Sequence, residues 1–306
     1  PVAEELKQFT IFATCGTPRI FEEAARKYVF RTMGHATADN VAAAMYVKEK
    51  FPDMKGYTGI NQNYAWGQDS WRDFDLTLQQ IMPNTKASDK TQFPKIFAGQ
   101  YGSEISAMSL DKADLVHTSF WGGDLEAFIF QGNARGLFKK KIGVFTVGGT
   151  AAYRLGKKLP NGLVLGARGP YGILVRDRDT ALNNWFVSTY KNLYGTYPSG
   201  PAYQYGQAIL AAKIAYDKAG SDATNEQLAD ALRGISFESF STTIEMKLGN
   251  GHQAATENGY GITEYDSENG ENVVKDVKFY PASCVLPPEG QNSVDWIKGG
   301  MKGAKC

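Results

Sequence analysis

The sequence predicts an α/β fold with mainly parallel strands, and three observations carry that expectation. Short apolar runs alternate with longer segments whose apolar residues recur every three or four positions, as in strands joined by helical crossovers. After Gly169-Pro170 the alternation gives way to three helical segments and a hairpin, so a second unit begins there. The chain has 306 residues, more than the roughly 250 that one hydrophobic core usually serves.

In chain order, residues 9–13 form the first apolar run and read as a strand. Residues 36–51 read as a helix with Val41, Ala44, Met45 and Tyr46 on one face. A short strand at 57–60 precedes a helix over 68–81, which Pro83 bounds. Further strand-like runs fall at 95–98, 115–120, 142–147 and 163–166. Helical patterns cover 180–193, 203–219 and 225–232. The stretch GYGITEYDSENGENVVKDVKFY should fold as a hairpin around Glu268-Asn269-Gly270. Beyond Pro281, Pro287-Pro288 and scattered glycines suit a tail lying over the surface. The opening PVAEELKQFTIFATCG reads as the end of a helix feeding a strand, so an upstream segment, signal peptide included, is expected to precede it.

Composition narrows the function classes. Thirty-three basic and 32 acidic residues give a formal net charge of +1, spread without long blocks, which is not the footprint of a nucleic-acid binder. No apolar run approaches the ~20 residues of a membrane-spanning helix. The three histidines, His35, His117 and His252, belong to no hydrolase, phosphate-loop or metal motif. GNGHQA lacks the third glycine and the preceding strand of a dinucleotide fingerprint. No catalysis, cofactor or metal is therefore expected. Cys15, Cys284 and Cys306 make an odd count; the last two either close a C-terminal loop or stay free thiols.

Aromatic residues just after strands are the strongest site signal. NQNYAWGQDSW places Tyr64 and Trp66 after the strand at 57–60, and SFWGGD places Trp121 and Asp124 after the strand at 115–120. Ligands of open α/β sheets bind outside the carboxyl ends of the strands, and aromatics beside a few polar groups suit a small-molecule pocket. The alternative is packing for the tryptophans and helix capping for Asp124. Two such corners in successive units favour a cleft.

YVFRTMGH, NYAWGQDSW, ADLVHTSFWGGDLEAFIFQG and YGQAILAAKIAYDKAGSDATNEQLADALRGISFE, in that order, resemble the type I periplasmic solute-binding proteins of the branched-chain amino acid class. The resemblance implies two doubly wound α/β lobes joined by a three-strand hinge, with the first βα units of one lobe absent. YVFRTMGH would be the first crossing, GARGPYG the second, and the third would fall near Gly249–Gly251. One lobe would hold 1–34 and 172–248, the other 36–168 and 252–280, with 281–306 as the tail.

Site residues follow from the same resemblance. FATCGTP aligns with the loop that binds the solute's carboxylate and ammonium, which nominates Thr14, Cys15, Gly16 and Thr17; the family's Thr falls on Gly16. Trp66 stands where the family has a stacking Tyr. Gly148-Gly149 falls where amino-acid binders carry an acid, and Asp124 is the nearest replacement. Gly123, with Gly122, would let the backbone pass close to the solute. Tyr64 and Trp121 belong to the two corners, and Tyr153 and Tyr203 are candidates for the cleft wall. The implied function is periplasmic capture of an amino acid or a related, aromatic solute for the membrane permease of an ABC importer. The alternative is a ligand-sensing regulatory protein on the same fold.

Overall fold

A computed structural model describes residues 1–306. Helix α1 (Val2–Glu5), strand β1 (Thr10–Phe12), helix α2 (Arg19–Glu22) and strand β2 (Val29–Arg31) open the first lobe. The chain then crosses to the second lobe and builds α3 (Ala36–Lys50), β3 (Gly56–Gly59), α4 (Ala65–Ile81), β4 (Lys86–Ala87), α5 (Gly102–Leu110) and β5 (Leu115–Thr118). It continues with α6 (Gly122–Ala134), β6 (Ile142–Phe145), α7 (Gly149–Leu155) and β7 (Val164–Gly166). Recrossing, it forms α8 (Ala181–Tyr194), α9 (Gly200–Ala219), α10 (Asn225–Leu232), β8 (Ser236–Glu238), β9 (Thr243–Leu248) and β10 (Gln253–Ala255). A third crossing leads to the hairpin β11 (Asn258–Asp266) and β12 (Glu271–Tyr280), then α11 (Ala282–Val285) and α12 (Ser293–Lys298).

The first lobe's sheet has the order β1-β2-β10-β9-β8, with β1, β2 and β10 parallel to one another and β9 antiparallel to both of its neighbours, β10 and β8. Phe30, Ala211, Leu232, Ile244 and Ala254 centre its core. The second sheet runs β12-β11-β7-β6-β5-β3-β4, parallel from β7 to β4. Residues alternate across it as a two-residue strand period demands. Leu115, Val144 and Val164 face the cluster that includes Val41, Phe74 and Leu78, while Val116, Phe145 and Leu165 face the one with Phe120, Phe128 and Ile129.

Local chemistry sets the boundaries of the helices that enter the first lobe. Thr180 caps α8 by accepting from the Asn183 amide at 3.2 Å, and Gly195 ends it in the left-handed region. Thr224 and Gln227 close a capping box on α10.

Three expectations change. Residues 95–98 are not a strand: Pro94 precedes them and Phe97 is left-handed at φ 61°, so the sheet edge is β4 instead. The third crossing lies at Thr256-Glu257, because β10 still pairs in the first sheet. Gly249–Gly251 are the tight turn before it, with three consecutive positive φ values of 56°, 57° and 87°. The tail is more than a surface wrap. Cys284, Val285, Trp296 and Ile297 sit in the second lobe's core, and Cys284 and Cys306 form a disulfide.

Candidate ligand-binding site

Four parallel strands of the second lobe end at one cavity of about 520 Å³ between the lobes. Tyr64, Ala65 and Trp66 follow β3, Trp121 follows β5, Val147, Gly149 and Thr150 follow β6, and Ala167 and Arg168 follow β7. The first lobe closes it with Thr14–Thr17, Ile20 and the start of α9 at Gly200, Pro201, Gln204 and Tyr205. This is where open α/β sheets hold ligands.

Trp66 is 5% exposed and its indole donates to the Ser119 carbonyl at 3.0 Å, which fixes the ring. Trp121 donates to the Tyr64 hydroxyl at 2.8 Å, so the two corners close on each other. Gly67 lets α4 start tight against the loop, since a Cβ there would lie 2.0 Å from the Gln62 carbonyl oxygen.

Arg168 is the charged group of the wall. Its guanidinium lies 4.2 Å from the centre of the Trp66 ring, a cation–π stack. Nη1 donates to the Thr14 carbonyl at 2.8 Å, and Nε stands 3.6 Å from Asp39 Oδ2. Nε and Nη2 have no hydrogen-bond partner. The backbone of Arg168 is left-handed at φ 60°, a conformation of the kind that persists where the surroundings hold a functional side chain in place. A second arginine shapes the loop opposite: fully buried Arg31 donates to the Cys15 and Thr17 carbonyls at 2.9 and 2.7 Å. Burial, reinforced by repulsion from Arg168, lowers the Arg31 pKa to about 9.

The lobes also meet beside the cavity. Asp69 on α4 has no exposed side-chain surface, and it accepts from Thr17 Oγ1 at 2.7 Å and from Arg19 Nη2 at 2.7 Å, both from the first lobe. Arg72 of its own helix completes the pairing at 2.9 Å.

The structure brings Thr14, Cys15, Gly16, Thr17, Tyr64, Trp66, Trp121 and Gly149 to the cavity. Five nominated residues stand elsewhere. Asp124 is buried, and its carboxylate accepts from Gln62 Nε2 at 2.7 Å and the Phe97 amide at 2.8 Å. It thus fastens two loops, and it neither lines the cavity nor caps α6, whose capping position is Trp121. A Cβ on Gly123 would meet nothing within 4 Å, so no close backbone approach explains that glycine. Gly148 packs on Leu165, where a Cβ would come within 2.8 Å. Tyr203 is core, donating to Asn183 Oδ1 at 2.9 Å, and Tyr153 stacks on Tyr197 outside the cavity.

Arg168 escaped the sequence reading although it lies inside the GARGPYG crossing. Its place after the run at 163–166 follows the same strand-end rule that nominated Trp66. Gln204 and Tyr205 gave no comparable signal, because they open a helix from the other lobe. No group of three or more His, Cys, Asp or Glu gathers to hold a metal ion. Burial drives His117 down to about 3 and His35 well below its usual value, so both are neutral near pH 7.

The sequence profile described as periplasmic binding protein matches residues 1–271. The chain belongs to the periplasmic binding protein family. Its fold is that of an ABC-transporter solute-binding protein from Rhodopseudomonas palustris BisB5 in complex with 3,4-dihydroxybenzoic acid. The TM-score is 0.77 at 19% identity, over 92% of this chain and 74% of that one. An amino acid ABC transporter substrate-binding protein from Pseudomonas fluorescens Pf-5 superposes with TM-score 0.76 at 13% identity, over 97% and 76% of the two chains. The leucine-, isoleucine-, valine-, threonine- and alanine-binding protein of Brucella ovis gives 0.69 at 16% identity, over 92% and 72%. No curated protein matches the sequence. No helix of this periplasmic binding protein is long and apolar enough to cross a membrane.

Proposed function

We propose that the protein is the extracytoplasmic solute-capturing component of an ABC importer and that its solute is a small aromatic carboxylate. One observation carries the choice of solute: the charged side chain lining the cavity is the cation Arg168, stacked on Trp66, and no carboxylate lines it. An amino acid brings an ammonium that needs an acid partner, whereas a benzoate-like anion needs a cation and apolar walls. Trp66, Trp121, Tyr64, Ile20 and Val147 supply aromatic and apolar surface. Solute-binding proteins of the same fold from Rhodopseudomonas palustris were solved with benzoate and with 4-hydroxybenzoate, which supports the reading. The disulfide suits an oxidising compartment. Solute held between the lobes would favour the closed form that a membrane permease recognises.

The test is a thermal-shift and calorimetric panel of benzoate, 4-hydroxybenzoate, 3,4-dihydroxybenzoate, leucine and phenylalanine. Binding of the benzoates in preference to both amino acids is the expected result. Preference for leucine would assign the cavity to amino acids instead.

A further inference from the structure

Arg168 faces the cavity on one side and a buried carboxylate on the other. Asp39, in the first turn of α3, is 1% exposed. Its Oδ1 accepts from Asn258 Nδ2 at 2.6 Å, while Oδ2 has no hydrogen-bond partner and stands 3.6 Å from Arg168 Nε. A carboxylate solute arriving at the cavity face of Arg168 would place a second anion on the same guanidinium. Two buried carboxylates sharing one cation disfavour double ionisation. We propose that capture of a carboxylate solute is coupled to uptake of a proton from bulk water onto Asp39, so that the bound anion takes over the charge of Arg168. This rests on the reading of Arg168 as the carboxylate anchor.

The surroundings leave Asp39 as the group that responds. Arg168 reaches it from the segment after β7, and Arg31 contributes a more distant positive charge from β2. From β11, Asn258 binds its carboxylate and the Tyr260 hydroxyl donates to its main-chain oxygen at 2.7 Å. The Tyr260 hydroxyl is raised well above its usual value and His35, the residue capping α3, well below, so neither changes charge near neutrality. Burial already pushes the Asp39 carboxyl up to about 6 despite Arg168. A neighbouring anion moves it further up. On α4, Asp73 is also pushed up to about 6 by burial, but it pairs with Arg72 and Thr37 and does not line the cavity.

A rise of about one unit on binding means uptake of roughly 0.4 proton per solute at pH 7, and an affinity about fivefold tighter at pH 6 than at pH 8. Titration calorimetry of the whole chain with 4-hydroxybenzoate, in buffers of different ionisation enthalpy, counts the protons. The neutral 4-hydroxybenzamide is the matched control. Uptake is expected with the acid and none with the amide, with loss of uptake in Asp39→Asn and its persistence in Asp73→Asn. The wild-type affinity series from pH 8 to 6 decides the matter even if Asp39→Asn does not fold. Preference for the acid without proton uptake, or uptake that survives Asp39→Asn, would overturn the coupling and leave Arg168 as the anchor. Equal binding of acid and amide would remove the anchor and the coupling together.

Discussion

Gly16 and Trp66 form one structural unit. A Cβ on Gly16 would lie 2.3 Å from Trp66 Cζ3 and 2.4 Å from Arg168 Nη2. The position where the resemblance anticipates a Thr is therefore closed to any side chain by the large ring standing where it anticipates a Tyr. Gly16→Ala should displace Trp66 and Arg168 and weaken 4-hydroxybenzoate binding. Adding the smaller ring of Trp66→Phe should restore part of it, a coupling read by a double-mutant cycle. Additive effects would show that the two residues act separately. Arg168→Met keeps the length of the stem and removes the charge. Loss of a charge-assisted bond of about 1.5–3 kcal/mol should weaken carboxylate binding roughly 10- to 150-fold, with little effect on 4-hydroxybenzamide. Equal losses for acid and amide would mean that Arg168 acts through packing.

At the scale of elements, the sequence was legible wherever one period dominated. The helix at Asn225–Leu232, the strands β5, β6 and β7 and the β11–β12 hairpin appear close to where their apolar patterns put them, whereas β8, β9 and β10 had no such forecast. The misread run at 95–98 is apolar too, but Pro94 and left-handed Phe97 break it. Asp124 shows why half-sites elude sequence reading. Its partners, Gln62 and the Phe97 amide, lie 62 and 27 residues away, and no local pattern marks them. Asp124→Ala would leave both donors without an acceptor. It should cost about 1–3 kcal/mol of stability and change solute affinity less than about twofold. An affinity loss without a stability loss would return Asp124 to the binding site. The tail is a further element with its own test. Cysteines 22 residues apart close its loop, so Cys306→Ser should lower stability by up to about 3 kcal/mol, measured by denaturant unfolding. An unchanged midpoint would show that packing of Trp296 and Ile297 holds the tail without the bond.

For the molecule as a whole, two of the contacts that join the lobes lie at the cavity: Arg168 to Thr14 across it, and Thr17 and Arg19 to Asp69 beside it. Arg19 does not line the cavity, so its effect on binding must pass through closure. Removing it leaves Asp69 paired with Arg72, which limits the damage within the second lobe. Arg19→Ala should therefore raise the solute's dissociation rate, by roughly three- to tenfold, as the closed form loses population. An unchanged rate would mean that this contact does not bias closure.

On the proposed function, Arg168 receives the carboxylate of an aromatic solute in the cavity between the lobes. A crystal structure of the protein with 4-hydroxybenzoate tests it most directly. The ring should lie against Trp66 with the carboxylate within hydrogen-bonding distance, about 3 Å, of the Arg168 guanidinium. A solute bound with its carboxylate turned away from Arg168, or bound outside this cavity, would contradict it.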